Sequence, residues 1–182
     1  ASPAWSASHY IWCGATGGAT GADWTNAWID IPSGPNALTR GDTYVIAGVD
    51  PATCTYPLNH TFNDDEAGAS VITIRHASLA LDSAIGGWQE SFGIAQAVWK
   101  ATPVGNPETT FSTVAWNICR GYYIFDGMIG STDPIAGPGG QGFLIEQPNR
   151  TGRGYVYPSS NAGCGGGART YNNLTFRHVE FS

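Results

Sequence analysis

The chain has 182 residues, of which 42% are apolar and only 12% charged, with 8 basic and 14 acidic residues giving a net charge of −6. That length suits one hydrophobic core, and the low charge excludes a disordered tail or a coiled coil. The acidic balance excludes the electrostatic footprint of a nucleic-acid binder and a polybasic membrane anchor.

Twenty-five glycines and eleven prolines leave little room for long helices. No run of about 18 apolar residues is present, so the sequence predicts no membrane-spanning helix. Residues 1–5, Ala-Ser-Pro-Ala-Trp, lack the basic and apolar regions of a signal peptide and read equally as a mature start left after cleavage or as a trimmed chain.

The first forty residues differ in texture from the rest. Residues 10–13 have strand texture, and a glycine-rich stretch from Gly14 to Gly21 follows. Residues 23–29 are predicted to make two helical turns, with Asp23 near the N-cap and Trp24 and Trp28 on one face. Pro32, Gly34 and Pro35 end that segment. The glycine stretch lacks the Lys-Ser/Thr of a P-loop and the Gly-x-Gly-x-x-Gly spacing, so it is not read as a phosphate site. Trp5, Trp12, Trp24 and Trp28 are expected to plug the first layer of whatever follows.

From residue 41 to 182 the texture changes to short β-branched and aromatic runs at 43–47, 71–75, 97–100, 122–126, 142–146 and 174–179, with a weaker one at 111–116. They lie roughly 20–30 residues apart, and no gap holds a crossover helix of ten or more residues. Ile72-Thr73-Ile74-Arg75-His76 nearly repeats as Leu174-Thr175-Phe176-Arg177-His178. With period two, the threonines and arginines point one way and the apolar residues the other. One-strand units at this spacing predict a solenoid, whereas a β-sandwich would need hairpins every 8–12 residues. The fold class expected from the spacing is all-β, a solenoid forming one structural domain over 41–182 after the distinct residues 1–40.

Four cysteines, Cys13, Cys54, Cys119 and Cys164, show no C-x-x-C spacing. Zinc and thioredoxin-like readings are therefore poor, and an even number fits an oxidising compartment. Three pairings are possible. Cys13–Cys54 with Cys119–Cys164 is preferred because each bridge stays within one half of the chain. Sequons at Asn59, Asn149 and Asn173 are candidate glycosylation sites if the chain is secreted, Asn173 being the least suitable because a strand follows it. The expected location is secreted or extracellular.

Four phrases have a familiar form: residues 40–48 (RGDTYVIAG), 72–77 (ITIRHA), 123–127 (YIFDG) and 173–180 (NLTFRHVE). They resemble those of right-handed parallel β-helix proteins of the pectate-lyase-like superfamily, which implies that the solenoid over 41–182 is a right-handed parallel β-helix, and the first forty residues resemble the cap that closes such a helix, with the short helix inside it. The superfamily includes polysaccharide lyases, glycoside hydrolases, phage tailspikes and adhesins. The resemblance implies where chemistry would sit. Lyases of this kind combine an Asp-rich calcium site with a basic residue, and Asp64, Asp65 and Glu66 form the one acidic cluster able to offer oxygen ligands to Ca²⁺, though such a string also suits a solvated turn. No other cofactor or metal is expected. Hydrolase members use closely set carboxylates on neighbouring coils, which makes Asp126 and Glu146 the candidate catalytic pair.

Arg75 and Arg177 are candidate forks for acidic sugars, or simply solvent-facing residues, with His76 and His178 at the bends. Trp88, Trp99 and Trp116 are candidate exposed platforms for carbohydrate. Residues 177–182 keep strand texture with no polar cap, so the final coil is expected to be open. It would be covered by later coils or by a second copy in head-to-tail self-association. The function expected is that of a secreted structural β-helix, a subunit or part of an extracellular filament, fibre or adhesin. The alternatives are the N-terminal part of a polysaccharide lyase or glycoside hydrolase, or a carbohydrate-binding module acting on a polysaccharide or glycan.

Overall fold

A computed structural model describes residues 6–58, 60–100, 116–127, 141–146, 156–158, 164 and 171–181. Strands dominate them, in chain order β1 (Ser8–Ile11), β2 (Gly34–Pro35), β3 (Thr43–Ile46), β4 (Tyr56–Pro57), β5 (His60–Asn63), β6 (Ile72–His76), β7 (Ala97–Lys100), β8 (Trp116–Ile118), β9 (Tyr123–Asp126), β10 (Phe143–Glu146), β11 (Val156–Pro158), β12 (Leu174–Arg177) and β13 (Val179–Phe181). Two single-turn helices, α1 (Leu79–Asp82) and α2 (Ser91–Ile94), lie between β6 and β7.

The strands form three sheets, ordered β1-β3-β6-β9-β12, β4-β7-β10-β13 and β2-β5-β8-β11. Every pairing is parallel. From β3 onward the chain visits the five-stranded sheet, then the β4 sheet, then the β2 sheet, and returns to the first sheet one strand further on. Consecutive strands never pair with each other, so no hairpin exists among the described residues.

Three strands per repeat, rather than one, is a difference from the sequence reading. The extra strands are too short to announce themselves: β2 is Gly-Pro and β4 is Tyr-Pro, and proline in a strand normally argues against one. Strand β1 ends at Ile11, two residues before the predicted end.

Period-two alternation sets the core. In β6, Ile72, Ile74 and His76 are buried while Thr73 and Arg75 are half-exposed. In register, Tyr44, Ile74, Phe125 and Phe176 make one inward row, and Thr43, Thr73, Ile124 and Thr175 an outward one. Successive layers touch side chain to side chain. The Phe125 and Phe176 rings stack at 4.7 Å with 4° between their planes, which is the interstrand spacing itself.

The helix expected over 23–29 does not form; turns and bends occupy that stretch. Asp23 bonds the backbone N–H and the side-chain amide of Asn26, a local Asx arrangement that competes with helical bonding. The two tryptophans then diverge. Trp28 stacks on His9, which itself stacks on Tyr44. Trp24 packs against Tyr10, Phe92 and Trp88.

Tyr10 and Val45 share the outward row of Arg75, yet both are buried. The covering comes from Trp24 and the 77–96 segment carrying α1 and α2, which form a small second core on the outside of the sheet. The remaining edge of β1 is also occupied. Tyr10 donates to the Gly21 carbonyl and accepts from the Trp28 N–H, and Trp12 donates to the Trp28 carbonyl.

Candidate functional site

The outward face of the five-stranded sheet carries a row of alternating charge. Arg75, Asp126 and Arg177 lie in register on β6, β9 and β12, alternating in sign along one row. The repeated Thr-apolar-Arg-His phrase therefore falls one strand to either side of Asp126. The two arginines come into register with Asp126 although 102 positions separate them in the sequence.

Their environments differ. Arg75 makes two 2.7 Å bonds to Asp82 at the end of α1, and Asp82 is 1% exposed. Asp82 also accepts the Ser78 N–H at 2.8 Å, and the Ser78 hydroxyl accepts from Leu81 to cap α1. This ion pair fastens the covering segment onto the sheet. Arg177, on the last strand of its sheet, is 53% exposed and contacts Asp126 at 2.9 Å. Asp126 also holds the His178 Nδ1 at 2.9 Å, and His178 adopts φ +52, a left-handed conformation that few side chains take.

The proposed carboxylate pair does not assemble. Asp126 ends β9 in the five-stranded sheet, whereas Glu146 ends β10 in another sheet and contacts Lys100 at 3.0 Å. Sequence spacing placed them on successive strands but carried no record of which sheet each strand joins.

The tryptophan platforms also need correction. Trp99 and Trp116 are each 1% exposed and meet edge-to-face in the core. Trp99 sits on the inward parity of β7, with Phe143 against it, and Trp116 packs on Phe62 and Phe125. Trp88 is half-buried and lies against Trp24 and Phe92. Trp99 and Trp116 therefore present no free ring face, which sugar stacking requires.

The acidic run is built into turns. Asp64 is buried and accepts bonds from the Leu38 N–H at 2.7 Å and the Tyr123 hydroxyl at 2.6 Å. Burial raises the Tyr123 hydroxyl pKa well above its ordinary value, and its bond to the Asp64 carboxylate adds to the rise. Asp65 pairs with Arg120 and Asn36, and Glu66 accepts from the Gly121 N–H. Arg40 lies over the Tyr123 ring and donates to the carbonyls of Asp64, Asp65, Gly121 and Tyr122. Among the described residues no group of three His, Cys, Asp or Glu side chains could hold a metal ion.

His76 was expected at a bend and instead lies fully buried. Its Nδ1 is 2.6 Å from the Ala77 carbonyl and its Nε2 2.8 Å from the Ala95 carbonyl, the two ends of the covering segment. Burial pushes its pKa down to about 4, against a smaller upward pull from the two carbonyls.

Both disulfides follow the preferred pairing, Cys13–Cys54 and Cys119–Cys164, and fit an oxidising, extracellular environment. Asn173 is exposed with φ +50, while Asn59 and Asn149 lie outside the described residues, as does Trp5. No helix among the described residues is long and apolar enough to cross a membrane.

Sequence reasoning missed Asp82 and the partners of Arg40. Asp82 carries no motif, and its role depends on where α1 lands. Compared with known proteins, the chain matches no protein-family model, no curated protein and no solved structure.

Proposed function

We propose that the chain winds as a parallel β-helix of the pectate-lyase-like kind, and that it serves outside the cell as a structural part of a fibre or adhesin. The recurring order of sheets, the all-parallel pairing and the interlayer aromatic stack support the winding. One observation carries the role: the β1 margin of the stack is sealed, the backbone groups of Tyr10 and Trp12 being already bonded to Gly21 and Trp28.

A sealed edge stops strand addition there. Head-to-tail strand pairing between copies would need the β1 edge, which is occupied. The β1 margin in this reading is the tip of the fibre, on a stack about 19 Å deep from β1 to β12 at the usual interstrand spacing. Electron microscopy of the native material, decorated with an antibody against the α1–α2 face, tests this. Elongated particles labelled at one end are expected. Compact particles would refute the fibre role, and label at regular intervals along a filament would replace the tip by head-to-tail stacking.

A further inference from the structure

The sequon Asn173-Leu174-Thr175 lies at the corner where the chain enters the five-stranded sheet at β12. Asn173 is exposed, and its side-chain amide makes no hydrogen bond among the described residues. Its backbone takes φ +50, a conformation that asparagine tolerates well. The conformation alone does not call for asparagine, because Tyr122 takes φ +60 at the equivalent position before β9.

The exposure belongs to the corner itself. Val71 and Tyr122 precede β6 and β9, each of which has a paired strand on both sides, and both residues are half-exposed. Thr175 lies in the outward row with Thr73, which is half-exposed in the middle of the sheet. The strand that follows Asn173 thus leaves both polar side chains of the sequon on the outer surface. The backbone beside them is fixed, since the Asn172 carbonyl accepts the Tyr122 N–H at 2.7 Å.

We infer that Asn173 is the acceptor of an N-linked glycan carried on the outer face of the stack. The inference rests on the reading that the chain is extracellular and is independent of the fibre role. The transfer joins Asn173 Nδ2 to the anomeric carbon of an oligosaccharide donated from a polyprenyl diphosphate. The bond from that carbon to the diphosphate breaks, the diphosphate leaves with the electron pair, and the amide proton passes to a base of the transferase. Thr175 supplies the hydroxyl that the sequon requires two residues after the asparagine.

Mass mapping of the native chain, alkylated without reduction, tests this at the peptide that contains Asn173. A hexose- and hexosamine-bearing mass on Asn173 is expected, and release by a peptide-N-glycosidase should leave aspartate there. In chains secreted by the same host, Thr175→Ala should lose the glycan with Asn173 in place, and Thr175→Ser should keep it. An unchanged circular dichroism spectrum checks that both variants fold. A bare Asn173 in chains whose cysteines resist alkylation would overturn the glycan and leave the extracellular reading standing. A bare Asn173 with alkylated cysteines would overturn both. Retention of the added mass in Thr175→Ala would show attachment without use of the sequon and would also overturn the inference.

Discussion

His76 shows how much a single buried side chain sets. It sits between layers, with its ring against Phe143 and with the Arg75–Asp82 pair on adjoining backbone. A neutral imidazole donates through only one nitrogen, so one of the two carbonyls goes without a proton. Because burial lowers the folded-state pKa to about 4, the ring contributes stability that is fully present above the unfolded value near 6.5 and fades as pH falls to about 4. That interval corresponds to about 3 kcal/mol. Denaturant unfolding at several pH values should show a drop of this size in the wild type beyond that of His76→Gln; parallel pH profiles would refute it. Tyr123→Phe makes a second residue-scale case, since it removes the hydroxyl that serves the buried Asp64 carboxylate. It should cost about 1–3 kcal/mol in denaturant unfolding, and a neutral result would mean that Leu38 and Arg40 suffice to hold that turn.

Among elements, the segment between β6 and β7 explains why two near-identical phrases behave differently. Arg75 and Arg177 share a motif, a sheet and a face, but Arg75 reaches Asp82 in the covering segment whereas Arg177 reaches Asp126. Arg75→Met strands a carboxylate that is 1% exposed and should cost about 3–5 kcal/mol. Arg177→Met, at the half-exposed margin, should cost less than about 1 kcal/mol. Thermal unfolding of the two variants side by side checks the contrast, and equal losses would show that the segment is not fastened through this pair. The repeat itself was legible as an alternation of residue types. The asymmetry was not, because it depends on where α1 packs.

For the whole molecule, two disulfides tie together layers that already pair through their strands. Each spans more than forty positions, a loop whose closure restricts the unfolded chain by about 4 kcal/mol. Joint replacement of Cys13 and Cys54 by serine should lower stability by up to that amount, measured by denaturant unfolding under oxidising conditions. No change would mean that the cap, through Trp24, Trp28 and the β1 edge, holds the first layer unaided. Close backbone approach is a second global constraint. A Cβ on Gly48 would lie 1.8 Å from the Ala95 carbonyl oxygen, so that glycine fixes how tightly the covering segment meets β3.

Several properties of this protein are determined by the sequence alone, because they are local or compositional. Strand texture, the predominance of β structure and the residues alternating inward and outward in β6 and β9 all follow from residue type and spacing. Only the tertiary structure decides which strands share a sheet. That separates Asp126 from Glu146, brings Asp126 between two arginines, buries Trp99 and Trp116, and turns an acidic run into the partners of Tyr123, Arg120 and Gly121. The reason is physical. A parallel sheet joins segments by register across long intervals of chain, and the short proline-containing strands that set the corners leave almost no periodic signal of their own.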